Sequence, residues 1–440
     1  MLKKVYIETY GCQMNIADSE VVAAILSKAG YEQTEEIDEA GLILINTCSI
    51  REKAEQRIWN RLDALKHLKK KNKGPVIGII GCMAERLREK ILEKDKLVDM
   101  VVGPDAYRQL PFLIDEAVDG HKTVNILLSQ EETYADISPV RMDKNGVTSF
   151  VSIMRGCNNM CAYCVVPYVR GVERSRDPES ILKEVYELWD MGYREVTLLG
   201  QNVNSYNWTK SRVTIRFPEL LEQVALVNPM LRVRFSTSHP KDISDDLLHT
   251  MALHRNICRH IHLPVQSGSS RVLKLMNREY TREWYMDRIK AIRRILPECA
   301  ISTDMITGFC TETDEDHRDS LSLMECAEFD FAYMFRYNER PGTKAAAEYT
   351  DNVPERIKTT RLNDIIKLQT HLSEISKNKD IGKVFEVLIE GFSKRSTDFL
   401  SGRTSQNKVV VFPKENKKRG EYVQVQIERC TSATLIGKII

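Results

Sequence analysis

The 440-residue chain contains no apolar run approaching the ~18 residues of a membrane span, which excludes a hydrophobic spanning helix. It also lacks net charge: 64 Lys or Arg stand against 62 Asp or Glu, leaving +2. That balance says little about partners, because a nucleic-acid site can be a local patch on a neutral protein. Met1-Leu-Lys-Lys-Val-Tyr-Ile-Glu8 meets charge before an export-signal core can develop. The eleven cysteines are an odd number without a disulfide framework, so a reducing cytoplasm is the expected setting. What is present, 42% hydrophobic and 29% charged residues, is ordinary for a globular protein. The length allows two or three domains, each burying a core.

A fourth ligand is missing from the densest cysteine cluster. Cys157, Cys161 and Cys164 stand in Arg155-Gly-Cys-Asn-Asn-Met-Cys-Ala-Tyr-Cys-Val165 with no histidine or further cysteine nearby. A structural zinc site wants four ligands, usually in paired sets. Three thiolates suit instead a [4Fe-4S] cube, holding three irons and leaving the fourth free for a chelating ligand.

Three more cysteines end apolar, β-branched runs: Val5 to Cys12, Leu42 to Cys48 and Val76 to Cys82. A helical pattern follows each. The first is expected to be capped by Asp18 and Ser19, to bury Val21, Val22, Ile25 and Leu26, and to stop at Gly30. The second buries Ile58, Leu62, Leu65 and Leu68 and ends in Lys69-Lys-Lys71, suited to the helix's negative pole. Alternating strands and helices imply a parallel sheet, whose ligands bind beyond the carboxyl ends of the strands. Cys12, Cys48 and Cys82 belong there, a plausible second three-thiolate site. Cys258, Cys299, Cys310, Cys326 and Cys430 show no ligand spacing.

From Thr148 the alternation restarts. Strands are expected at 149–154, 195–199, 232–236, 260–263, 300–306 and 329–335, with helices including 178–190, 242–253, 282–295 and 313–327. Six such units suit an open, partial barrel rather than a closed eight-stranded one. Its strand ends carry Gly200, Gln201 and Asn202, then Ser236 to Pro240, then Gln266, Ser267 and Gly268, then Asp304 to Gly308. Glycines admit a ligand to the backbone, and the polar groups can hydrogen-bond it. Arg174 and Arg176 can counter a ligand carboxylate or a substrate phosphate. A long helix over 354–377 leads to short alternating strands with glycine turns from Ile381, a small β-barrel. Residues 380–440 hold eleven Lys or Arg and seven Asp or Glu. With Phe399, Phe412 and Tyr422, that excess suits RNA through phosphate contacts and base stacking. The expected fold class is therefore α/β: an amino-terminal parallel α/β domain over 1–120, a partial (β/α)6 core over 143–375, and a small β-barrel over 378–440.

The Cys157 motif resembles that of radical S-adenosylmethionine (SAM) enzymes. With Thr9-Tyr-Gly-Cys-Gln-Met-Asn15, Asn46-Thr-Cys-Ser-Ile-Arg51, Gly81-Cys-Met-Ala-Glu85 and His262-Leu-Pro-Val-Gln-Ser-Gly268, the whole chain resembles the radical SAM methylthiotransferases, which end in a TRAM domain. Cys164-Val-Val-Pro-Tyr-Val-Arg-Gly-Val-Glu-Arg-Ser-Arg176 is most similar to the MiaB-type tRNA enzymes. One departure is Gly308-Phe-Cys-Thr-Glu-Thr313, where the family usually has Gly-Phe-Pro-Gly-Glu-Thr.

The resemblance implies that Cys157, Cys161 and Cys164 hold the cluster that cleaves SAM to a 5′-deoxyadenosyl radical. Cys12, Cys48 and Cys82 would hold a second [4Fe-4S] cluster that supplies sulfur. It further implies that Gly200 to Asn202 take SAM's methionyl end, Gln266 and Ser267 its ribose, and Asp304 to Gly308 its adenine. The implied reaction puts a methylthio group on C2 of N6-isopentenyladenosine beside the anticodon of tRNA, the base leaving its stack to enter a dry barrel mouth. Such chemistry hardly needs His239, His260 or His262 as acids or bases. A low-potential electron donor, a monomeric chain and no membrane partner complete the expectation. The same chemistry on a ribosomal protein or on threonylcarbamoyl-adenosine, or a non-catalytic iron-sulfur RNA-binding protein, are the competing readings.

Overall fold

The computed structural model describes residues 3–49, 52–69, 74–142 and 145–440. Met1, Leu2, Ile50 and Arg51 of the second cysteine motif, Lys70, Lys71 and the expected core boundary at 143 lie outside the described residues.

The first strands are β1 (Lys3–Thr9), β2 (Tyr31–Gln33), β3 (Leu42–Thr47), β4 (Val76–Gly81), β5 (Met100–Val102) and β6 (Thr123–Asn125). They form one sheet in the order β2-β1-β3-β4-β5-β6, with every pairing parallel. β3 and β4 are buried at every residue, as parallel strands covered by helices on both faces must be. The expected helix faces hold: Val21, Val22, Ile25 and Leu26 pack on one side of the sheet, Ile58, Leu62, Leu65 and Leu68 on the other.

Two expectations need correction. The first helix begins at Gln13, with Cys12 rather than Asp18 or Ser19 at its N-cap. Asp18 and Ser19 are buried in its second turn, where they have other partners. The sheet also runs past residue 120 to β6, and Tyr134 and Ile137 pack against the same core.

β7 (Thr148–Ser152) opens the second domain. β8 (Met154–Arg155) and β9 (Arg174–Ser175) form a two-residue antiparallel clasp at the stem of the Cys157 loop. Then come β10 (Glu195–Leu199), a hairpin of β11 (Asn207–Lys210) and β12 (Val213–Arg216), β13 (Arg232–Ser236), β14 (His260–His262), β15 (Ala300–Thr307) and β16 (Phe331–Arg336). Two parallel three-stranded sheets, β13-β10-β7 and β14-β15-β16, meet through a parallel bridge between Val233 and Ile257. The six strands therefore follow chain order around an open partial barrel, with one large apolar core between strands and outer helices. The helices at 178–190 and 282–295 match expectation, whereas the one expected from Asp242 starts at Asp245. Residues 240–242 make a 3-10 turn, and Ser244 Oγ caps the helix by accepting from Leu247 N at 3.2 Å.

The Glu355–Asn378 helix leads to β17 (Val384–Ser393), β18 (Ser396–Thr404), β19 (Val409–Pro413), β20 (Tyr422–Cys430) and β21 (Leu435–Ile439), which close a barrel in the order β17-β18-β19-β21-β20. This barrel docks against the amino-terminal ends of the core strands. Arg232 and Arg234 donate to the carbonyls of Arg403, Glu386 and Thr404 at 2.6, 2.9 and 2.7 Å. Tyr422 Oη donates to Met230 O at 2.8 Å. No helix among the described residues is long and apolar enough to cross a membrane.

Candidate active site

β1, β3 and β4 are neighbours, so the residues just past their carboxyl ends share one edge. Thr9 pairs with Asn46, and Thr47 with Gly81, which sets Cys48 and Cys82 level. Gly11 lies so close over Cys48 that a Cβ added to it would come within 2.8 Å of the cysteine's own Cβ. Side-chain amides lace the three ends together. Asn15 Nδ2 donates to Asn46 Oδ1 at 2.9 Å and to Thr47 O at 3.1 Å, while Asn46 Nδ2 donates to Asn15 O at 2.8 Å. Cys48 and Cys82 are buried and Cys12 is exposed. Burial, and behind it the neighbouring Cys12, push the Cys82 thiol above its usual range.

In the core, Gly156 turns the chain into the cysteine loop at φ +79°, and Cys157 N is tied to Gly171 O at 3.1 Å. Ala162 N donates to Met276 O at 2.9 Å, and Asn277 Nδ2 to Met160 O at 2.8 Å. Burial, with the Glu173 carboxylate and then Cys161 nearby, raises Cys157 to about 11, and burial with the neighbouring thiols raises Cys164 to about 12. Three thiols brought into one loop are a ligand set suited to a cation.

Two arginines absent from the sequence expectation point at thiols. Arg170 Nε lies 3.2 Å from Cys82 Sγ, and an Arg278 terminal nitrogen lies 3.1 Å from Cys161 Sγ. Arg170 sits in the quoted motif after Cys164, so a signal existed; nothing in the sequence marked Arg278. Around Arg170 the two domains meet through buried ion pairs: Asp18 with Arg155 at 2.7 Å and with Arg170 at 2.8 Å, and Asp105 with Arg174 at 2.6 Å. Among the described residues no three His, Cys, Asp or Glu side chains close on one point as the ligands of a single ion do. A cube needs a wider setting, with its thiolates spread around a body rather than a point. The buried thiols and the guanidiniums aimed at them fit such an anionic group.

The expected SAM-binding residues divide. Arg176 is not available: its guanidinium is buried against Glu184, Ser180 and Ser152 O. Arg174 likewise answers Asp105 rather than a ligand. Asn202 is consumed in holding two strand ends together, donating to Asp242 at 2.7 Å and accepting from His239 N at 3.0 Å. Ser267 is wholly buried between Ser269 N and Ser320. Gly200, Gly268 and Gly308 serve packing: a Cβ would meet Met154, the Asp319 carbonyl and Lys358, each within 2.4 Å.

Gln201 Oε1, by contrast, is buried without a hydrogen-bond partner. Ser236 is partly exposed at the end of β13. Gln266 sits at φ +77°, held by backbone bonds to Asp304 O and Ile306 N of 2.9 and 2.8 Å. The Asp304 carboxylate faces His262 across 3.6 Å. His239 and His260 are pushed down to about 2 and about 3, chiefly by burial, and stay neutral. The divergent loop keeps a backbone made for glycine, since Thr311 has φ +61° and is tied down by Asn352 and Arg271.

In the carboxy-terminal barrel, Phe412 is fully buried core and Tyr422 is committed to the domain interface, beneath the Arg232 guanidinium. Only Phe399 of the three expected stacking aromatics is exposed, joined by the unforeseen Phe392 with Lys414 5.0 Å above its ring. A cleft of about 730 Å3 lies at the base of the core between Arg232, Asp330, Lys379 and Asp380, and none of the six cysteines lines it.

Residues 4–103 match an uncharacterized protein family, UPF0004; residues 151–324 match the radical SAM superfamily, and residues 378–440 the TRAM domain. The chain is 57% identical to a tRNA-2-methylthio-N(6)-dimethylallyladenosine synthase of Amoebophilus asiaticus, over 99% of this chain and 92% of that one. Proteins of the same name from Bacteroides fragilis and Porphyromonas gingivalis are 57% and 54% identical, over 99% and 100% of this chain and 95% of each relative. Among solved structures, the radical SAM methyltransferase TsrM from Kitasatospora setae shares the fold at a TM-score of 0.59 and 14% identity, over 79% of this chain and 75% of that one.

Proposed function

Because this chain belongs to the tRNA-2-methylthio-N6-dimethylallyladenosine synthases, we propose that its two cysteine trios each hold one [4Fe-4S] cluster and that both serve a single adenine of tRNA. The chain is a radical SAM methylthiotransferase, and its base is N6-dimethylallyladenosine, the isopentenylated adenosine expected from the sequence. When bound, the clusters and SAM supply one-electron cleavage of a sulfonium together with a source of sulfur and methyl.

The protein's own residues supply placement. What supports the reading is the shared edge of β1, β3 and β4, just past which Cys12, Cys48 and Cys82 lie, together with Arg170, six residues beyond Cys164, reaching Cys82. Asn15 and Asn46 hold that edge, and the Asp18 and Asp105 ion pairs hold the two loops at a fixed separation. For SAM, Gln201 and Asp304 offer polar contacts at the strand ends, Ser236 and Gln266 stand beside them, and Arg176 and Asn202 keep the surrounding backbone in place. Buried Ala162, Val272, Met276 and Phe309 form an apolar floor behind Cys161 that excludes water. No proton-transfer side chain is required, in keeping with neutral His239 and His260.

Exposed Phe392, Phe399 and Lys414 contact the RNA, whose target base lies beside the anticodon. A low-potential one-electron donor reduces the protein, which works as a monomer in the cytoplasm. The test is mass spectrometry of isopentenylated tRNA incubated anaerobically with reconstituted protein, reductant and SAM. Gain of a methylthio group on adenine is expected, together with about eight irons per chain from two cubes. An unchanged nucleoside, or a mass gain on a ribosomal protein instead, overturns the choice of substrate; about four irons overturns the pair of clusters.

A further inference from the structure

Arg278 is 4% exposed, yet none of its partners is a carboxylate. Its Nε donates to Tyr280 Oη at 3.0 Å and one terminal nitrogen to Pro264 O at 2.8 Å. The other terminal nitrogen meets Cys161 Sγ at 3.1 Å and Tyr163 Oη at 3.5 Å. Among the described residues no Asp or Glu comes within ion-pair distance of it, and its hydrogen-bond partners are two tyrosine hydroxyls, a carbonyl and a thiol. Other deeply buried arginines of this molecule are answered by acids: Arg155 and Arg170 by Asp18, Arg361 by Glu312. A guanidinium removed from water without an anion carries a desolvation cost that neutral acceptors do not offset. No anion pairs with it directly, Asp242 acting on it only at longer range, and the one potential anion it touches is the Cys161 thiol.

We propose that Arg278 is the built-in counter-charge of the iron-sulfur cluster held by Cys157, Cys161 and Cys164, a positioning residue that sets how readily that cluster accepts an electron. The inference rests on the core cysteines' holding such a cluster. Three iron-bound thiolates around a cube are anionic, and reduction adds one more negative charge at the same place. A fixed positive charge in a dry site favours the more negative state, and a donor on the cysteine sulfur acts in the same direction. Arg278 therefore raises the cluster's midpoint potential and brings it within reach of a one-electron donor. Arg170 plays no equal part at Cys82, because its charge is already shared with Asp18.

The test is an EPR-monitored redox titration of the anaerobically reconstituted full-length chain carrying Cys12→Ala, Cys48→Ala and Cys82→Ala, so that the core cluster alone gives the signal. Arg278→Gln, which keeps a donor but removes the charge, should lower the midpoint; Arg278→Lys, which keeps the charge, should leave it near the parent value. Loss of the core cluster in Arg278→Gln but not in Arg278→Lys supports the same role. An unmoved midpoint in Arg278→Gln, or equal shifts or equal loss of iron in both variants, overturns it in favour of plain packing. If the parent protein shows no cluster signal abolished by Cys161→Ala, the failure lies with the core site itself rather than with Arg278.

Discussion

Arg170 Nε stands 3.2 Å from Cys82 Sγ, although the two residues are 88 positions apart and belong to different domains. Arg170 lies six residues beyond Cys164, so one short helix physically connects the two cysteine trios. Asp18 fastens that connection by taking Arg170 and Arg155 together.

Replacing Asp18 with Ala leaves two guanidiniums buried side by side with less than their due of negative charge. Removing one partner of such a network costs roughly 3–5 kcal/mol. Urea denaturation of the apoprotein should show a loss of that size, and a loss under 1 kcal/mol would mean that water enters the network.

Glu85, in the motif that follows Cys82, is 1% exposed, and neither carboxylate oxygen has a hydrogen-bond partner. Burial pushes its carboxyl up to about 7 from the ordinary 4.5. Raised in the folded state, it favours the fold most below its unfolded value, and that contribution disappears as pH climbs from about 4.5 through about 7. Glu85→Gln should therefore stabilise the protein by roughly 3 kcal/mol at pH 8, on ~1.4 kcal/mol per unit, and by little at pH 5. Thermal melts at the two values check the sign; an equal effect at both refutes it.

Gly156 is the pivot of the core cysteine loop. At φ +79° an added Cβ would stand 1.9 Å from Val172 O, a backbone atom two residues before β9. Gly156→Ala should express as folded protein and lose iron from the core site, measured as iron per chain, while the amino-terminal site keeps its share.

Cys12→Ala should still cleave SAM, since Cys157, Cys161 and Cys164 are untouched, but should abolish thiolation. Chromatography of 5′-deoxyadenosine and mass spectrometry of the tRNA separate the two outcomes. Retained thiolation would refute the role given to Cys12.

On the carboxy-terminal barrel, Phe392→Ala should weaken tRNA binding by roughly 1–3 kcal/mol through lost stacking. Lys414→Ala should also reduce the slope of log affinity against log salt by roughly 1. The same substitutions at Phe412 should unfold the barrel instead, because that ring is entirely in its core.

The sequence alone determined the local periodicities: apolar runs ending in Cys12, Cys48 and Cys82, helix faces such as Ile58 and Leu62, and the three-thiol spacing at Cys157. These depend on neighbours along the chain, so β-branched runs and helical repeats report them directly. Only the tertiary structure decided which polar groups were still free. Asn202, Ser267 and Arg176 read like ligand contacts but were already taken by Asp242, Ser320 and Glu184, while Gln201 Oε1 was left buried without a hydrogen bond. Phe412 and Phe392 are alike in composition and differ only in which way the barrel wall turns them. Arg278 lies 117 residues from the thiol it faces. A buried charge is defined by what is missing around it in three dimensions, and a one-dimensional pattern holds no record of that.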